Sequence, residues 1–190
     1  MTRSVLAKYV LPFIQWYALM VFLAIAIDYV LHRFQLVSVG RYFGFIGTVL
    51  LIVSFIYSLR KRRIIKYGSP KKLLLMHEYL AWIGSVIIIV HAGIHFNAIL
   101  PWLAVFMLLL NVASGLVGKF LLKDANESLM YKRAELINSG ITSIEADKKL
   151  FWDSTTVELM KKWRVVHLPI SLLFVILALL HIITIVIYSK

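Results

Sequence analysis

The chain has 190 residues, 61% of them hydrophobic and 16% charged, with a mean hydropathy of +0.86. That is more apolar surface than a soluble domain of this size can hide, so an integral membrane protein is expected. The net charge of +12 does not point to nucleic acid, because the cations are segregated into alternate loops between apolar runs.

Five stretches are long and apolar enough to span a bilayer: Val10 to Leu31, Tyr42 to Leu59, Leu73 to His95, Ala98 to Leu122 and Val165 to Tyr188. The first follows a short basic tail with Arg3 and Lys8 and has no small-residue cleavage site, so it reads as an uncleaved signal anchor. Between the third and fourth, the short connection His95 to Pro101 implies an antiparallel hairpin, with Pro101 tolerated in a first helical turn. Residues 123–162 form the only sizeable polar segment, expected as an interfacial connector of two or three short helices. Thr142-Ser-Ile-Glu145 and Thr155-Thr-Val-Glu158 both fit a capping box, and Gly140 could end a helix that starts near Asn126.

Charge gives an orientation. Of 21 Lys and Arg, two lie in the N-terminal tail, seven between spans two and three, and nine between Lys119 and Arg164. Arg33 and Arg41 lie between spans one and two, Lys190 is at the C-terminus, and the connection between spans three and four has none. The positive-inside rule then puts the N-terminus and residues 123–162 in the cytoplasm and the C-terminus outside, in a multi-pass protein of the inner (cytoplasmic) membrane. Spans three and five both run outward. The basic run from Arg60 to Lys72 is expected against anionic lipid.

Four of the six histidines form two pairs with the same offset, His77/His91 on span three and His167/His181 on span five. Fourteen helical residues turn through about 1400°, within about 40° of whole turns, and rise about 21 Å, so both imidazoles of a pair share a face near opposite membrane surfaces. Ionisable residues at membrane depth are costly and tend to mark function, and neutral imidazole is a good iron ligand. This is the spacing expected for two stacked b-type haems, His77 with His167 inside and His91 with His181 outside. With no cysteine, C-x-x-C-H attachment and thiolate-held clusters are excluded, so each haem would be non-covalent. Six-coordinate bis-His iron has no open position, which favours electron transfer over oxygen chemistry.

The residues His77-Glu-Tyr-Leu-Ala-Trp-Ile-Gly84 through His91, with Trp163-Arg-Val-Val-His167-Leu-Pro-Ile and Leu180-His181-Ile, resemble the transmembrane core of ferric reductases and NADPH oxidases. There the third and fifth spans each carry two haem-ligating histidines. The same segments, roughly Lys72 to Tyr188, are similar to the cytochrome b subunit of respiratory quinol:cytochrome c oxidoreductases. The resemblance implies haem binding and transmembrane electron transfer. It does not extend to the sixth span and flavin domain of the first family, nor to the paired glycines of the second, which Gly44, Gly47, Gly115 and Gly118 do not reproduce.

Other residues carry secondary expectations. Gly84, seven residues from each ligand, is read as a close-packing position on the opposite side of the helix, with haem contact the second reading. Arg164 is placed to neutralise a haem propionate or to act as a plain cytoplasmic anchor. His95 competes with His91 as a ligand but would put the iron about 6 Å further out. Asp28 and His32 at the outer end of span one, His95, and Glu78 beside the inner ligand are candidates for a quinone or proton site, against a simpler role at the headgroup layer.

The expectation is an all-α, five-span di-haem cytochrome b, residues 1–190 as one transmembrane domain. It would carry single electrons between a cytoplasmic or membrane donor and an extracytoplasmic acceptor, as a subunit of a larger redox complex. Quinone is a further candidate ligand. The alternatives are a quinol-oxidising or metal-reducing subunit and, from a different class, a haem-free transporter or membrane anchor.

Overall fold

The computed structural model describes residues 5–94 and 98–188, and those residues are all-helical, without a strand. In chain order the helices are α1 (Val5–Arg33), α2 (Val37–Ser54), α3 (Ile56–Lys61), α4 (Pro70–Ile94) and α5 (Ile99–Leu116), followed by a π-helical turn at Val117–Leu121. Then come α6 (Leu122–Asn138), α7 (Ser143–Lys149) and α8 (Phe151–Tyr188). Five segments are long and apolar enough to cross a membrane: Val10–Arg33, Val37–Lys61, Pro70–Gly93, Ile99–Phe120 and Val165–Tyr188. At about 1.5 Å per residue each of these exceeds the roughly 30 Å hydrocarbon thickness. Large apolar side chains such as Phe22, Phe45 and Val186 stay exposed, as expected where lipid rather than protein covers a helix.

The second span departs from its expected bounds. It begins at Val37, not Tyr42, because exposed Arg41 interrupts the apolar pattern without interrupting the helix. It is also broken at Phe55, whose N–H bonds to Ile52 O at 3.0 Å in a tightened turn before α3 resumes.

Three helices stop in the same way. After α1, α3 and α6 a residue with positive φ (Gln35 at 56°, Arg63 at 62°, Gly140 at 88°) turns the chain back. The next N–H then reaches a carbonyl in the last helical turn: Leu36 N to Leu31 O, Ile64 N to Leu59 O, and Ile141 N to Leu136 O. These are Schellman stops, and Gly140 takes the left-handed position without the penalty a Cβ would bring.

The chain divides into two compact units, one formed by the sequence up to Tyr17 with Ala113–Pro169, the other by Ala18–Val112 with the segment from Ile170. In the first unit Val117 and Val157 are buried, with Val10, Phe13, Phe120 and Leu129 packed against them. Lys132 Nζ donates to Asp153 Oδ2 at 3.1 Å, tying α6 to the start of α8. Arg133 holds Asp147 of α7 through two bonds of 2.7 and 3.1 Å, and this guanidinium keeps the Asp147 carboxyl below its usual range. Thr142 caps α7 through its side chain, with Glu145 N donating to Thr142 Oγ1 at 3.4 Å, and the Glu145 carboxylate accepts from that hydroxyl at 3.1 Å. The Thr155 box does not start a helix: α8 is already running from Phe151, so that sequence is a helix interior. The expected short helix before the last span is instead the N-terminal part of α8.

In the second unit α2 packs against α4, and this pairing builds the site.

Candidate functional site

The antiparallel α2 and α4 meet at seven-residue intervals. Ser54 faces His77, Gly47 faces Gly84, and Gly40 faces His91. Seven residues turn a helix through about 700°, some 20° short of two full turns, so positions seven apart recur on one face. His77, Gly84 and His91 therefore share a face. This corrects the expectation that Gly84 lies opposite the histidines. Its packing role stands, against α2.

Contact at the middle of the register is close. A Cβ on Gly47 would come within 2.7 Å of Ile88 Cγ1 and 3.2 Å of Gly84 O. One on Gly84 would meet Leu51 Cδ2 at 3.1 Å and Gly47 O at 3.3 Å. Small residues let the two backbones approach, as in other membrane helix pairs.

That approach brings main-chain carbonyls within reach of both imidazoles. His77 Nδ1 lies 3.0 Å from Ser54 O, and His91 Nδ1 lies 2.9 Å from Gly40 O. A carbonyl can only accept, so Nδ1 carries the proton in each ring and, in a neutral imidazole, Nε2 carries the lone pair. The break at Phe55 directly follows the carbonyl that His77 uses, and Ser54 Oγ donates to Leu51 O at 2.7 Å at the same place. Tyr57 of α3 stacks on the His77 ring, with centroids 5.5 Å apart and planes 29° apart. The His91 ring lies against Gly44, where a Cβ would meet Cε1 and Nε2 at 2.8 Å.

On the other pair, His167 belongs to the first unit and His181 to the second. His167 Nδ1 is 2.5 Å from Ser114 Oγ on α5, and Ser114 is only 1% exposed. The same ring passes Gly115, with a Cβ there 3.6 Å from Cε1. Pro169, two residues further along α8, has no N–H to give the helix ladder. His181 is half-buried, and its carbonyl accepts from Thr184 Oγ1 at 2.7 Å. In the second unit α5 and α8 are also joined by Ser171 Oγ donating to Asn111 Oδ1 at 2.6 Å.

At the end of α1, Asp28 lies over Gly93 of α4, with Oδ1 3.3 Å from where a Cβ would sit. That oxygen is buried and accepts no hydrogen bond, although the exposed His32 ring is 3.5 Å away. His32 Nδ1 instead donates to Asp28 O at 2.9 Å. Glu78 is half-buried beside His77. His95 and the Arg164 side chain lie outside the described residues.

Among the described residues no three His, Cys, Asp or Glu side chains converge as a protein-only metal centre would need. Sequence reading singled out the four histidines but not Gly40, Gly44, Ser54, Tyr57 or Ser114 as their neighbours. The repeat of Gly40, Gly47 and Ser54 at the same seven-residue step as His77, Gly84 and His91 was the available signal. No family model, no curated protein and no solved structure matches the chain.

Proposed function

We propose that the chain is a di-haem b-type cytochrome, a subunit that carries single electrons across the inner membrane within a larger redox complex. His77 and His167 hold the inner haem and His91 and His181 the outer one. The observation that supports this most is the α2–α4 register. At both ends of one helix an imidazole gives its Nδ1 proton to a main-chain carbonyl. That is the pattern of metal-ligating histidines, whose second nitrogen is committed to an outer partner that fixes tautomer and ring orientation.

The donor set also fits the group. Two neutral imidazoles suffice for an iron whose other four ligands come from a macrocycle, so no third protein ligand is needed. Bound haem supplies one-electron Fe(III)/Fe(II) chemistry. The protein's part is to hold the ligands rigid, keep water out with apolar helices and, through Arg164, offer charge to a propionate. In this reading the basic loops mark the cytoplasmic side, and lipid covers the exposed apolar faces.

A second reading, a quinol-oxidising subunit, draws on one feature: the buried, unbonded Asp28 Oδ1 near the end of α4. A quinol hydroxyl could donate to it, with His32 next in line for the proton. Glu78 and His95 hold the corresponding place in a quinone or proton site only by sequence position.

Purification of the full chain in mild detergent tests these readings together. The proposal expects a reducible b-type spectrum and two haems per chain. A colourless protein would overturn it in favour of a haem-free transporter or anchor. Haem reduction by quinol alone would favour the second reading.

A further inference from the structure

The histidines differ in what their Nδ1 atoms meet. His77 and His91 face main-chain carbonyls, which accept only. His167 faces the Ser114 hydroxyl, which can accept or donate. A carbonyl admits one tautomer. A hydroxyl admits both: accepting from Nδ1–H leaves Nε2 with the lone pair a metal needs, whereas donating to Nδ1 puts the ring proton on Nε2 and blocks coordination.

From this we infer that Ser114 is the positioning residue for the inner haem: accepting from His167 Nδ1–H when Nε2 is given to iron, it orients the ring and sets the potential of that haem alone. The inference rests on the di-haem reading. Two features of the site favour it. Ser114 is almost fully buried, so water does not replace it as the partner of Nδ1. The Nδ1 to Oγ separation is 2.5 Å, against 3.0 and 2.9 Å for the carbonyl contacts of His77 and His91.

The direction of the effect follows from the chemistry. An Nδ1–H that donates to oxygen makes the imidazole more basic, and a more basic axial ligand favours Fe(III) over Fe(II). Loss of the acceptor therefore makes the inner haem easier to reduce. A partner of this kind commonly changes site properties by a factor of ten or more. A tenfold shift of a one-electron equilibrium corresponds to about 59 mV.

The test is a redox titration of the purified full-length protein, with haem stoichiometry and the electron paramagnetic resonance spectrum of each haem, for the wild type, Ser114→Ala and Ser114→Thr. In Ser114→Ala one potential should rise by about that tenfold equivalent, with an altered signal from the same haem, while the other stays put. Ser114→Thr, which keeps the hydroxyl, should restore both values. Selective loss of one haem in Ser114→Ala but not in Ser114→Thr would support the same conclusion. Two unmoved potentials in Ser114→Ala, or equal disturbance in both variants, would show that Ser114 only fills space and overturn the inference while leaving the di-haem reading intact. A wild-type protein without haem would overturn both.

Discussion

His91 lies where it does because residue 44 has no side chain. An alanine methyl there would sit 2.8 Å from two atoms of the imidazole, and neither the helix backbone nor a ring bonded to Gly40 O has slack to absorb that. Gly44→Ala is therefore expected to displace the His91 ring and break its bond to Gly40. Overpacking of this kind typically costs about 1–3 kcal/mol. In the di-haem reading the variant retains one haem per chain, which a haemochrome assay of the purified protein measures. Gly118→Ala is the matched control, since nothing lies within 4 Å of that position, and it should keep both. Loss of haem from both variants alike would mean that Gly44 has no special relation to His91.

At the scale of the element, the pairing of α2 with α4 links two places about 21 Å apart along one helix. The two carbonyl bonds at its ends depend on the close approach of Gly47 and Gly84 between them. A Cβ at Gly47 meets Ile88 Cγ1 at 2.7 Å, and one at Gly84 meets Leu51 Cδ2 at 3.1 Å, so Gly47→Ala should be the more disruptive. Either substitution pushes the helices apart at the midpoint and lengthens both end contacts. Both haem potentials should then move together, unlike the single-haem effects expected from Gly44 and Ser114. A redox titration in which only one potential moves would contradict this coupling.

Much of this element structure was legible in the sequence, and the exceptions have physical reasons. Five apolar runs of spanning length gave five candidate spans, because a bilayer demands both length and apolarity at once. The start of α2 was missed because Arg41 is polar, yet an exposed arginine costs a helix nothing and Gly40 had to be inside it to serve His91. The Thr142 box capped a helix because the chain reverses before it at Gly140. The Thr155 box did not, because nothing stops α8 upstream. The partners of the histidines were the least legible part. Two of the Nδ1 partners are main-chain carbonyls, which leave no side-chain signature, and another is one serine among many.

For the molecule as a whole, the uneven distribution of cations predicts the orientation on which the proposed electron path depends. Seven Lys and Arg lie between Leu59 and Leu73 and two, Arg33 and Arg41, between Leu31 and Tyr42, so the first of these segments should be cytoplasmic and the second external. In that orientation His77 and His167 are near the cytoplasm, and an electron moving outward across an inside-negative membrane gains about 2.3 kcal/mol per 100 mV. A donor at the cytoplasmic face and an acceptor outside would then work with the membrane potential. The orientation can be checked cleanly because the chain has no native cysteine. Tyr67 and Phe34 are 87% and 68% exposed in the two loops, so a single cysteine at either position should be accessible without disturbing a helix. A membrane-impermeant thiol reagent applied to intact cells should label Phe34→Cys, and should label Tyr67→Cys only after permeabilisation. The opposite pattern would invert the topology, make the His77 and His167 pair the outer one, and turn the favoured electron flow around.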